Sequence, residues 1–206
     1  EEEFALPTQA TVRAVIIDKT PTPEDTVAMG ELAAELRQEI IEGADFEDIL
    51  GQPGVGAGSG DLGWFTRDRM PEEFSDAAFA ATVGELTEPV RTPFGYHVIE
   101  VQDQTEDSVQ ARHILVPFAR TEESELDLLT LADSLEALGE SRTLAEAALT
   151  LGLGVETAYL SSEFAFVAGA GQVGEGSDWA FEEALVGDVS AVLETRQAFY
   201  MLELAE

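Results

Sequence analysis

The chain has no cysteine. That excludes disulfides, thiolate nucleophiles and cysteine-based metal sites. It is compatible with an oxidising compartment without establishing one. Positive charge is also scarce. Ten Lys and Arg face 42 Asp and Glu, for a net charge of −32 at pH 7, and Lys19 is the only lysine. A surface of this sign repels a phosphate backbone, which argues against a nucleic-acid partner. No apolar run approaches the ~20 residues that cross a bilayer, so no membrane span is expected. The opening Glu1-Glu2-Glu3 is the opposite of the basic start of an export signal. The expectation is therefore a mature form or an excised fragment.

What is present is a globular composition. Of 206 residues, 45% are hydrophobic and 25% charged, which suits one large domain or two small ones. The excess of carboxylates has three readings: a solvated surface that keeps the protein soluble, adaptation to a saline habitat, or attraction of basic or unfolded clients. Titrating stability against salt separates them, because a halophilic surface weakens in low salt.

The chain repeats itself. Arg13-Ala14-Val15-Ile16-Ile17 resembles Arg112-His113-Ile114-Leu115-Val116. Gly84-Glu85-Leu86-Thr87 parallels Gly187-Asp188-Val189-Ser190, and Tyr96-His97-Val98-Ile99-Glu100-Val101 parallels Phe199-Tyr200-Met201-Leu202-Glu203-Leu204. Nearly constant offsets in one order indicate two copies of a unit of about a hundred residues. The acidic stretch 102–109 reads as their linker.

Each copy has the same layout. In the first, residues 11–18 alternate and are rich in β-branched side chains, which predicts a strand. Thr22-Pro23-Glu24-Asp25 predicts a helix start, running to Glu42 with Gly43 as its stop. A short helix over 45–50 and a strand over 62–66 follow. Pro71 opens a helix carrying Phe74, Ala78 and Phe79, and 86–91 and 96–102 form a hairpin. The second copy reads as strand 111–117, helices 121–138 and 143–151, strand 154–160, helix 178–186 and a last hairpin. Thr143 and Glu146 have the spacing of a capping box. The order predicts an α+β class, each copy a small mixed sheet wrapped by helices.

Gly60-Asp61-Leu62-Gly63-Trp64-Phe65, then Met70 and Phe74, then Phe94-Gly95-Tyr96-His97-Val98-Ile99 together resemble the signature of the parvulin-type prolyl isomerases. The resemblance covers residues 10–102 specifically and 109–206 loosely. It implies a proline-binding cup of Leu62, Met70 and Phe74, with Phe94 beside it. It also implies an isomerase or foldase that needs no cofactor or metal and acts on unfolded or proline-containing segments. The location it implies is extracytoplasmic, periplasmic or membrane-anchored, in a bacterium. The bland alternative for Met70 and Phe74, four apart, is ordinary core packing on one helical face. Full burial of either with no cup would remove both the isomerase and the peptide-binding reading.

Two polar positions depart from the family pattern. In family members the counterpart of His97 bonds a histidine on the first strand, where this copy has Ala14. His97 is then expected as a buried histidine bonded to a hydroxyl or to main chain, with a direct catalytic contribution as the other reading. Gln52, before Pro53-Gly54, stands where the family has Asp or Cys; it is neutral and lies in a glycine-rich loop. On this reading Ala14→His with Gln52→Asp restores activity. In the second copy His113 remains, but Tyr200 replaces the partner histidine and the Gly-Asp-Leu-Gly strand is not recognisable. That copy is expected to be structural or client-binding. His97 and His113 would meet only if strands exchanged between copies, and the expectation is against it, since each copy has its own first and last strand.

Other motifs lack context. Gly58-Ser59-Gly60-Asp61-Leu62-Gly63 matches a dinucleotide pattern, but no clear strand precedes it and no helix follows. Two histidines in separate repeats make no zinc site, and neither a calcium loop nor a nucleophile elbow is present. The reading is two tandem parvulin-like domains, 8–102 and 109–206. Two functions compete for them: a prolyl isomerase, possible at reduced strength, with His97 and Gln52 as its polar residues, and a non-catalytic peptide-binding module using the same cup.

Overall fold

The computed structural model describes residues 9–206; the acidic opening and the domain start expected at residue 8 lie outside them. In chain order the elements are β1 (Gln9–Asp18), α1 (Pro23–Ile41), α2 (Phe46–Leu50), β2 (Gly60–Phe65), α3 (Glu72–Ala80), β3 (Val90–Thr92), β4 (Gly95–Gln104), β5 (Val109–Pro117), α4 (Glu122–Gly139), α5 (Leu144–Leu151), β6 (Glu156–Ser161), β7 (Phe166–Val167), β8 (Gly171–Gln172), α6 (Gly174–Asp178), β9 (Leu193–Glu194) and β10 (Ala198–Leu204). The fold is mixed helix and strand with several small sheets, consistent with a parvulin-like architecture. In place of the single helix expected over 178–186, α6 runs into a wide i→i+5 turn over Trp179–Glu183.

The chain forms two compact units, but not the expected ones. One is Pro21–Thr121; the other joins Glu122–Glu206 to the described residues up to Thr20. The first strands are exchanged. β1 lies between β10 and β6, while β5 lies between β4 and β2. The boundaries at 102 and 109 are therefore corrected, and so is the linker: residues 102–109 are the end of β4, a tight turn and the first residue of β5. Thr105 N–H donates to the Ser108 carbonyl at 2.8 Å and closes that turn. The physical reason is local. β1 and β5 carry the same alternating pattern and both bear an arginine that meets a glutamate across the sheet, Arg13 with Glu203 and Arg112 with Glu100. Neither pattern nor charge assigns them to a sheet. A hairpin, by contrast, closes β4 onto β5 across a few residues at little entropic cost.

Within residues 21–121 the sheet order is β2-β5-β4-β3. One face, with Val98, Ile114 and Val116, packs on Ala33 and Leu36 of α1 and on Phe46 and Ile49 of α2. The other, with Ile99, Val101 and Ala111, packs on Phe74 and Ala78 of α3 and on Phe65. Thr22 caps α1 as expected, in a reciprocal box with Asp25. The second oxygen of Asp25 accepts from Thr121 N–H at 2.9 Å, tying the start of the unit to its end.

The second unit has the corresponding order β6-β1-β10-β9. Val15, Ile17 and Met201 face α4 and α5. Val12, Ala14, Tyr200 and Leu202 face the segment that includes α6. The capping box of Thr143 and Glu146 is present at the start of α5.

Candidate active site

The signature residues act first on the backbone. Between Asp61 and Gly63 the register of β2 against β5 slips, so Leu62 sits in a bulge with no partner across the sheet. Asp61 Oδ1 accepts from Gly63 N–H at 2.9 Å, and Gly63 takes φ +61°, a conformation glycine adopts without strain. Gly95 is required for a different reason. It turns the chain into β4 at φ +144°, and a Cβ there would lie 2.2 Å from the Val116 carbonyl oxygen.

Phe74 is the floor. It is 1% exposed and meets the His97 ring edge-on at 5.1 Å and the His113 ring at 5.5 Å between centroids. Leu62 and Met70 pack on the same cluster while keeping part of their surface open. Met70 precedes α3, so it and Phe74 do not share a helical face; Ser75 Oγ holds the preceding turn by donating to the Arg67 carbonyl at 2.9 Å. Phe74 offers no open wall to a ligand, and this half of the cup expectation is corrected. Phe94 is 64% exposed at the β3–β4 turn and lies outside this cluster.

The exchange of strands brings His113 to His97. In the register of β4 and β5, His97 faces Leu115 and Ile99 faces His113, so the two imidazoles are diagonal neighbours on one face. Their Nδ1 atoms are 3.0 Å apart, and the ring centroids are 5.2 Å apart with planes 10° from parallel. His113 Nε2 lies 2.8 Å from the Gly58 carbonyl oxygen, and His97 Nε2 lies 2.8 Å from Thr92 Oγ1. One proton arrangement satisfies a neutral pair. A carbonyl oxygen only accepts, so His113 Nε2 carries hydrogen and its Nδ1 accepts. His97 Nδ1–H then donates to it, and His97 Nε2 accepts from the Thr92 hydroxyl. Thr92 Oγ1 in turn accepts from Phe94 N–H at 3.2 Å.

Both rings are buried, and burial disfavours the imidazolium form. His97 is pushed down to about 4, first by burial and then by repulsion from His113. Burial also lowers His113, and the Gly58 carbonyl partly opposes that shift. The pair is therefore uncharged at neutral pH.

The other expected positions fall elsewhere. Ala14 is in the second unit, opposite Leu202 and Glu156, and cannot serve as the partner of His97. Gln52 donates to Glu39 Oε2 at 2.9 Å and bonds neither histidine. Thr92 is the hydroxyl expected beside His97, although the sequence does not single it out. A signal existed in the threonine that opens the Thr92-Pro93-Phe94-Gly95 turn.

The second unit closes the corresponding position. Tyr200 is 1% exposed, and its hydroxyl accepts from Gly176 N–H at 3.1 Å. Burial raises its pKa, against the effect of that bond. With alanine at position 14, no histidine stands in this sheet.

A four-stranded sheet with a neutral histidine pair over an aromatic floor defines a parvulin-type domain. The model of the PPIC-type PPIase domain matches residues 2–105, and the chain belongs to that family. β5, which carries His113, lies beyond the matched residues. Among relatives, the chain is similar to the foldase protein PrsA of Geobacillus sp. (strain WCH70), 41% identical over 78 residues, 36% of this chain and 28% of that protein. It is similar to the chaperone SurA of Chromobacterium violaceum, 35% identical over 82 residues, 38% of this chain and 19% of that protein. A longer match, 28% identical over 144 residues, is to the chaperone SurA of Hydrogenovibrio crunogenus, covering 64% of this chain and 32% of that protein. The chain thus spans at most about a third of the length of these relatives. Among the described residues, no helix is long and apolar enough to cross a membrane.

Proposed function

We propose that residues 21–121 form a peptidyl-prolyl isomerase domain of a foldase, and that its clients are unfolded segments containing proline. The observation that carries this reading is the 3.0 Å contact between His97 and His113 directly over Phe74. Rotation about an X-Pro bond makes and breaks no covalent bond. The planar amide resists by ~18–20 kcal/mol because its resonance separates charge. The twisted amide is less polar. An uncharged imidazole pair beside Leu62 and Met70 gives it a less polar setting than water, and a group that grips the ring while the preceding carbonyl turns prefers the twisted state. Each ~1.4 kcal/mol of that preference is tenfold in rate. No charged group is needed, which agrees with Gln52 in place of a carboxylate.

A second reading is peptide holding without catalysis by the same surface. Leu62 and Met70, which stay partly open beside the covered Phe74, are the surface that supports it. The second unit is read as a degenerate copy of the same domain, its catalytic position filled by Tyr200, and the protein as exported. Exchange NMR on a tetrapeptide with one X-Pro bond tests the activity. Line broadening that appears with the protein and disappears in His97→Ala is expected. Interconversion at the uncatalysed rate, with the peptide still bound, would leave only the holding function.

A further inference from the structure

The second unit has no histidine yet keeps exposed aromatic surface that its own core does not use. Phe164 is 62% and Phe166 48% exposed, and the rings stack at 6.1 Å with planes 13° apart. Contiguous exposed aromatics on a soluble domain mark an interaction surface. A cavity of about 300 Å³ opens beside Phe164, and its wall includes Ser161, Glu163, Ser177 and Asp178, with no Lys or Arg. Neither carboxylate forms an ion pair or accepts a side-chain hydrogen bond among the described residues. The turn is fixed: Ser161 and Phe164 exchange backbone hydrogen bonds at 3.0 and 3.1 Å, and Val173 N–H donates to the Ala165 carbonyl at 3.0 Å. The aromatic pair and Glu163 thus lie on the pinned turn and β7, and Asp178, at the end of α6, lines the same hollow.

We propose that this hollow is a docking site for an extended polypeptide segment in which an aromatic side chain neighbours Lys or Arg. The aromatic ring of the segment extends the Phe164–Phe166 stack, and its cation meets Glu163 and Asp178. Charge complementarity selects this occupant. A cation compensates two carboxylates that have no internal counter-ion, and it also gains from the faces of the stacked rings. An acidic or purely aliphatic segment satisfies neither requirement. The inference takes its ligand class from the foldase reading, but not its site.

The test uses the whole chain and a fluorescein-labelled, proline-free peptide of alternating Phe and Arg, followed by anisotropy. Phe164→Ala with Phe166→Ala, both at exposed positions, is expected to weaken binding about tenfold. Glu163→Arg with Asp178→Arg is expected to abolish preference for this peptide and to favour its Phe/Glu counterpart. Rotation of the X-Pro tetrapeptide should be unchanged in both variants, so failure here and failure of the isomerase reading are separable. Binding by wild type that neither pair of substitutions alters would place the peptide elsewhere and overturn the proposal. So would absence of binding by the wild type, or equal affinity for the Phe/Glu peptide.

Discussion

Acidification should uncover the histidine pair. The chain has two histidines, and both are in it. An unfolded chain protonates His97 near 6.5, whereas the folded protein holds it down to about 4. Because the folded value is the lower one, the contribution of the neutral ring is fully present above pH 6.5. It is lost as pH falls toward 4, where the unfolded state takes up a proton that the folded state refuses. A shift of this size is worth about 3 kcal/mol. Raw stability will not isolate it, since the same acidification neutralises carboxylates and relieves the repulsion of a −32 surface. Imidazole Cε1–H shifts do isolate it: only two signals exist, both midpoints should lie below 6.5, and that of His97 near 4. Urea unfolding of the wild type minus that of His97→Asn should lose about 3 kcal/mol between pH 7 and 4. Two midpoints at or above 6.5 would refute the buried, coupled pair.

Further substitutions probe the framework. Ala14→His should leave isomerisation unchanged, with or without Gln52→Asp, because position 14 faces Leu202 in the other sheet; a gain in rate would restore the linear pairing of strands. Gly95→Ala should cost more than about 2 kcal/mol in urea unfolding, since its Cβ would meet the Val116 carbonyl and its φ is one that alanine resists. Phe74→Ala should cost about 3–5 kcal/mol as a buried aromatic. Met70→Ala, partly open, should cost less than about 2 kcal/mol while weakening the X-Pro peptide. Equal stability losses would mean that Met70 is core and not a contact surface.

Most elements were legible because their causes are local. Thr22 with Asp25 and Thr143 with Glu146 fix helix starts within a few residues, and β1 and β5 are strands by their own alternation. The signature strand was legible too, since Asp61 and Gly63 encode the Leu62 bulge in sequence. Pairing between strands was not. Arg13 and Arg112 meet equivalent glutamates, so the repeat that revealed two copies also hid which first strand joins which sheet. The turn at 105–108 held the answer, but its acidic residues resemble a linker as much as a hairpin. Gln52 was misjudged for a related reason: its position along the chain matches the family, while its side chain reaches Glu39. The burial of Phe74 depends on how closely His97 and His113 approach it, which no single segment encodes.

The decisive measurement is the X-Pro exchange rate of the whole chain beside that of His113→Ala, a residue outside the stretch that matches the family. The isomerase reading carried by the His97–His113 pair requires catalysis in the first and at least a tenfold fall in the second, with His97 then titrating closer to 6.5. A His113→Ala variant that is folded and as fast as the wild type would contradict it.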